Sequence, residues 1–182
     1  MTYKKKPLNP RPIGPSIPQF SDPSNHAFSE TTITVGIVDY QREVAGYFEG
    51  PYDIQNVGQF SKQFFAKVKD QAIVMLDDQN DEIARSPVIR CIALPGSLFQ
   101  VTNVTIGINF HWERREEQVF QGSLILRLRK DGTIAVINEI SLEDYLKSVI
   151  SSEMNSIAPK EFLKAHAILS RSWLMAALHR KK

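Results

Sequence analysis

Few side chains of this chain stand where they could do chemistry. Glu153 closes an amphipathic run and is followed by Met154 and a short stretch, N-S-I-A-P, so its carboxyl is expected at a helix end, able to point into a groove. A carboxyl that donates a proton near neutral pH needs partial burial beside apolar groups, here Met154 or Ile150. On the residues alone, the competing reading is a solvated charge at a helix end. For Arg171, on the helical stretch that follows, ligand binding competes with a structural salt bridge to the first helix. Cys91 sits between Ile89 and Ile92 in an apolar, strand-like run and reads as a buried structural thiol; nothing nearby supplies the base or electropositive niche of a nucleophile. His26, His111, His166 and His179 show no metal-ligand spacing, so no metal site and no cofactor are expected.

The elements that must position these groups change in character along the chain. Residues 7 to 25 carry Pro7, Pro10, Pro12, Pro15, Pro18 and Pro23 among Ser, Asn and Asp, an extended leader rather than a packed element. From Thr31 the segments T-I-T-V-G-I-V and V-A-G-Y-F predict a first hairpin. A-I-V-M-L (72–76), the turn D-D-Q-N-D and P-V-I-R-C-I-A-L (87–94) predict a second strand pair. The alternating stretch from Phe99 to Trp112 predicts a strand with one buried face. Residues 118–129 and 133–139 flank Lys130-Asp131-Gly132, a hairpin signal.

The period then lengthens to that of a helix. Ser141 with Asp144 makes a capping-box-like start for a helix over 141–152, with Leu142, Tyr145, Leu146 and Val149 on one face. Pro159 suits the first turn of a second helix, 159–180, whose stripe is Phe162, Ala165, Leu169, Ser172, Trp173 and Ala176; Trp173 is expected in the core. The fold class is α+β: an antiparallel β-rich body followed by two C-terminal helices. A chain that stops on an amphipathic helix without a C-cap looks cut rather than finished.

Composition bounds the function. The chain has 182 residues, 42% apolar and 23% charged, and no apolar run of membrane-spanning length, so no transmembrane segment is expected. A net charge of +2 does not point to nucleic acid, and the terminal clusters Lys4 to Lys6 and Arg180 to Lys182 read as solvated charge. The basic start lacks the apolar segment of a secretory signal.

Residues 134–174 contain, in order, a strand ending in the polar pair Asn138-Glu139, L-E-D-Y-L (142–146), V-x-x-S-E-M (149–154), a short loop and L-K-A-x-A-x-x-x-R (163–171). This ordered set resembles the stage II sporulation protein D and amidase-enhancer (SpoIID/LytB) family. F-Q-G-S-L (120–124) is similar to that family's Y-R-G-S-L strand, and T-V-G-I-V (34–38) matches more weakly. The resemblance divides the chain into a Pro-rich leader (1–28), a β-rich N-terminal region (29–117) and the N-terminal part of a SpoIID/LytB-like domain (118–182), incomplete because the family's second helix is followed by further groove residues.

The resemblance implies a lytic transglycosylase acting on peptidoglycan glycan strands, cleaving the MurNAc–GlcNAc bond to leave a 1,6-anhydro end, with a cell-wall amidase as a further partner and the cell envelope as its setting. It makes Glu153 the catalytic acid and base, with Arg171, Ser152 and Met154 at the substrate. One carboxyl suffices, because the sugar's own 6-hydroxyl attacks in place of water. Tyr145 and Lys164 also fall in the motif, where packing or solvent competes with function, and His166 stands where glutamine is most familiar. The alternative is a non-catalytic glycan-binding or amidase-enhancing module; a third reading is a purely structural domain with Glu153 in a salt bridge.

Overall fold

A computed structural model of the chain describes residues 31–106, 111, 114–155 and 157–180; the expected leader, Lys4 to Lys6, Lys181, Lys182 and most of the end of the stretch to Trp112 lie outside them. Among the described residues, twelve strands, numbered along the chain, form two antiparallel six-stranded sheets. The first runs β1 (Thr32–Gln41), β12 (Ile134–Ser141), β11 (Ser123–Leu128), β8 (Val88–Ala93), β3 (Tyr52–Ile54), β4 (Gly58–Phe60). The second runs β10 (Arg114–Gln121), β9 (Leu98–Ile106), β2 (Glu43–Glu49), β5 (Gln63–Lys69), β6 (Ala72–Leu76), β7 (Glu82–Ser86). Two helices follow, α1 (Leu142–Glu153) and α2 (Lys160–Arg180).

Strand alternation builds one core from both sheets. Phe48 and Phe64 of the second sheet stack at 4.8 Å, and Phe48 lies 4.3 Å from the ring of Tyr52 in the first. Ile54, Ile89, Cys91, Leu124 and Val136 are among the other side chains buried in it. Cys91 is fully buried, and burial pushes its thiol up to about 12, consistent with an inert packing residue.

Some of the sheet changes are made at glycines, among them Gly50 after β2 and Gly122 after β10. Gly122 joins β10 to β11 with φ +93, and a Cβ there would lie 2.5 Å from the Glu139 carbonyl oxygen, so only glycine fits. The Tyr52 hydroxyl donates to the Gly122 carbonyl at 3.0 Å and fixes this crossing; burial, then Cys91, raises its pKa. F-Q-G-S-L is therefore two strands in different sheets, and the hairpin across Asp131-Gly132 starts only at Ser123.

Two expected pairings are corrected. β1 pairs with β12 and β2 with β5 and β9, so there is no hairpin at the start of the described fold. β6 turns at Asp77, whose carboxylate accepts from the Gln79 and Asp81 amides at 2.9 Å, to pair with β7, whereas β8 belongs to the other sheet. Pro87 ends the pairing run and lets the chain cross, since proline has no amide hydrogen to donate to a ladder.

The inward series of β12 is Ile134, Val136, Asn138 and Ile140. Asn138 is 6% exposed, and its Oδ1 has no hydrogen-bond partner. Such a buried, unpaired group costs about 1–3 kcal/mol.

Candidate functional site

Ser141 caps α1 as its spacing predicts: its Oγ accepts from the Asp144 amide at 3.1 Å and donates to the Asp144 carboxylate at 2.9 Å. Hydrogen bonds from Lys147 and then Ser141 hold the Asp144 carboxyl below the usual carboxylate range. Leu142 and Leu146 turn inward, Tyr145 is half-buried beside them, and Leu174 of α2 closes a second small cluster over Ile33 and Ile140. At the far end the Met154 amide donates to the Ile150 carbonyl at 3.0 Å and Met154 turns extended, so the chain leaves the helix directly after Glu153.

Glu153 is thus a helix-terminal carboxylate, 55% exposed. Its partner is His166, whose Nε2 lies 3.1 Å from Oε2 and which is itself only 16% exposed. The Ser170 hydroxyl, one turn further along α2, is 3.5 Å from the same nitrogen. Pro159 lies just before α2, its carbonyl accepting from Leu163 at 3.1 Å, and starts the helix that brings His166 back to Glu153.

The other expected site residues are placed as follows. Ser152 turns its hydroxyl back to the Val149 carbonyl at 2.8 Å, and Met154 is half-buried. Arg171 does not reach Glu153. Burial of Leu174 against α1 sets Arg171 level with the first turn of that helix, and its Nη2 donates to the Glu143 carboxylate. Lys164 pairs with Glu161 on its own helix at 2.8 Å. The stripe expected to pack α2 faces outward instead: Phe162, Leu169 and Trp173 are 53%, 67% and 68% exposed, which corrects the core placement of Trp173. Periodicity shows that such a stripe exists, but the packed side is fixed by Leu174 and the partly buried Leu178.

Sequence reasoning left His166 without a role, although a histidine in place of the motif's usual glutamine was the available signal. Asn138 was missed, although a polar residue in the inward register of an alternating apolar strand could have marked it. Among the described residues, no group of three or more His, Cys, Asp or Glu could hold a metal ion, and no helix is long and apolar enough to cross a membrane.

Residues 130–182 match the family model of the stage II sporulation protein, SpoIID. An uncharacterised protein of Brachyspira hyodysenteriae is 41% identical over 56 residues, 31% of this chain and 15% of its own length. An uncharacterised protein of Chlamydia pneumoniae is 42% identical over 59 residues, 32% of this chain and 22% of its own. The matched stretch thus spans less than a quarter of each relative. No solved structure matches the chain.

Proposed function

We propose that the SpoIID-type segment, taken as residues 118–182 and built on a sheet shared with β1 and β8, serves a peptidoglycan lytic transglycosylase in which Glu153 is the general acid and base. The observation that carries this reading is the Glu153–His166 contact at 3.1 Å at a helix end. When Glu153 is protonated it can donate to a neutral Nε2, and when it is ionised an Nε2–H can donate back. Both states of an acid–base cycle keep the hydrogen bond. An arginine or lysine in that place would favour the carboxylate alone.

The step balances with one carboxyl. Glu153 passes its proton to the glycosidic oxygen as the MurNAc–GlcNAc bond breaks, then accepts the proton of the MurNAc 6-hydroxyl as that oxygen closes on the anomeric carbon. Arg171 has one nitrogen engaged by Glu143 and the rest of its fork to offer sugar oxygens; Ser152 and Met154 flank the acid at the substrate. The cell envelope is the corresponding setting, with glycan strands as substrate and a wall amidase as a further partner.

Two observations favour a second reading, a non-catalytic glycan-binding or amidase-enhancing module: Glu153 is more than half exposed, and Arg171 is turned away from it. One assay separates the two. The intact protein is incubated with purified, peptide-free glycan strands, and the products are analysed by mass spectrometry for 1,6-anhydro ends, one water lighter than hydrolysis products. The catalytic reading expects such ends, and Glu153→Gln lowers their formation by about 10²- to 10⁴-fold while strands still bind. Binding without cleavage by the wild type selects the module.

A further inference from the structure

Glu153 and His166 both titrate, and their contact at 3.1 Å makes the charge of each depend on the other. The carboxylate is more than half exposed, whereas the imidazole is mostly enclosed, with the Ser170 hydroxyl 3.5 Å from the same Nε2. A ring so enclosed meets a new charge where it stands, beside the carboxylate.

Few other charges bear on the pair. One turn to either side of His166 on α2 stand Phe162, Leu163, Leu169 and Ser170, and one turn before Glu153 on α1 stand Val149 and Ile150. Residues 154–159, which link the two helices, include no charged side chain. Lys164 is held by Glu161, Arg171 by Glu143, and Asp144 by Lys147.

The acid role needs a protonated Glu153, and a cation beside a carboxyl opposes this, favouring the ionised form by about tenfold or more. A neutral imidazole imposes no such bias, and a protonated one does. Imidazoles ordinarily take up a proton at about pH 6.5 and glutamate carboxyls only at about pH 4.3, so acidification charges the ring first. Between those values the pair is an imidazolium facing a carboxylate. Its hydrogen bond is intact, but the proton sits on the wrong partner for cleavage. Glutamine in the same place could make the hydrogen bond without ever changing charge.

We propose that His166 is a positioning residue for Glu153 that also restrains cleavage in acid, by becoming a cation beside the carboxylate before Glu153 takes up a proton of its own. The inference rests on the catalytic reading given above and adds regulation of the same site. The ring takes its proton from water and returns it as pH rises, so the restraint is reversible and consumes nothing.

Two measurements on the intact protein test it. The ring-nitrogen shifts of His166 are followed by NMR between about pH 5 and pH 8 in the wild type and in Glu153→Gln. The wild-type ring should keep its proton to higher pH, because only there does a carboxylate hold it. Formation of 1,6-anhydro ends from peptide-free strands is measured over the same range in the wild type, His166→Gln and His166→Ala. The ratio of turnover at the acid end to turnover at the alkaline end should be about tenfold higher in His166→Gln than in the wild type, since glutamine gains no charge. At the alkaline end, His166→Ala should fall about tenfold or more below His166→Gln in kcat, with KM little changed, because it no longer orients the carboxyl.

A ring that titrates alike with and without Glu153 would overturn the proposal, as would equal acid-to-alkaline ratios in the wild type and His166→Gln. Alanine and glutamine variants of equal kcat at the alkaline end would remove the positioning role and overturn it too. The two measurements also separate this failure from that of the catalytic reading. If the wild type forms anhydro ends but the profiles are parallel, the restraint falls and the reading stands; if the ring senses Glu153 yet no anhydro ends form at any pH, the reading falls and the restraint with it.

Discussion

The two-sheet body and the helical pair are held together on different terms. In the body, Phe48, Tyr52, Phe64 and Phe99 are fully buried and touch one another across the two sheets. The helices rest on the thin cluster of Ile33, Ile140, Leu142, Leu146 and Leu174, while Phe162, Leu169 and Trp173 lie exposed. Yet the family match falls on the last strand and these helices, not on most of the body. Stability and the residues proposed for function therefore occupy different parts of the molecule, joined through β12, which feeds directly into α1. Substitutions can test that separation.

Phe48→Ala should have the largest effect. It removes a ring with no exposed surface from the centre of the aromatic cluster, for which about 3–5 kcal/mol is the usual loss. Chemical denaturation followed by tryptophan-independent circular dichroism should show the whole strand signal lost at lower denaturant. Survival of the sheets with only a small shift would mean that the body is not the cooperative unit.

Leu146→Ala should cost less, near the lower end of the roughly 2–5 kcal/mol range for such truncations, because its site borders solvent and can relax. Its signature is regional. Amide exchange should quicken in α1 and α2 while β5, β6 and β11 keep their protection. Uniform loss of protection would show that helices and sheets unfold as one.

The features legible in the sequence were those set by near neighbours. The Ser141 cap, the turn at Asp131-Gly132, both helix ranges to within a residue and the antiparallel β-rich body followed by two helices all rest on local spacing or chemistry. Pairings that bring distant strands together were not legible: β1 with β12 and β8 with β11 depend on sheet changes such as those at Pro87 and Gly122, and neither residue reveals which sheet the chain enters next. At the candidate site, the position of Glu153 at a helix end was readable from its run. That His166 rather than Arg171 meets it depends on the level at which α2 packs, which Leu174 sets.

Ser141→Ala should cost about 1 kcal/mol through the lost N-cap, read as a lowered Tm with sheet protection unchanged. The Asp144 carboxylate, held first by Lys147 and then by this cap, predicts a pH effect with a definite sign. The Asp144 carboxyl is held below its ordinary range, so its contribution is present above the unfolded value near 4 and is lost as pH falls through the lower folded value. Solvent screening keeps it small, since the side chain is 38% exposed. Acid should loosen the start of α1 in the wild type and do so less in Ser141→Ala; equal acid sensitivity would remove the cap from the explanation.

Arg171→Ala should have the smallest effect on stability. Its ion pair with Glu143 joins the two helices, but the side chains are 54% and 45% exposed, and pairs of this kind contribute about 0–1 kcal/mol. A cycle of Arg171→Ala, Glu143→Gln and the double variant isolates that term, and added salt should shrink it. The proposed ligand role makes a separate demand on the same residue. If the rest of the fork binds sugar oxygens, Arg171→Ala must weaken retention on peptide-free glycan strands far more than it lowers Tm, whereas Glu143→Gln, which only frees the guanidinium, must leave retention near that of the wild type. Arg171→Lys sharpens the distinction, because it keeps the charge and loses the fork, so it should restore most of the stability and little of the binding. Equal small losses in all three variants would reduce Arg171 to a fastening between the helices and leave Glu153 and His166 as the contact that supports the catalytic reading.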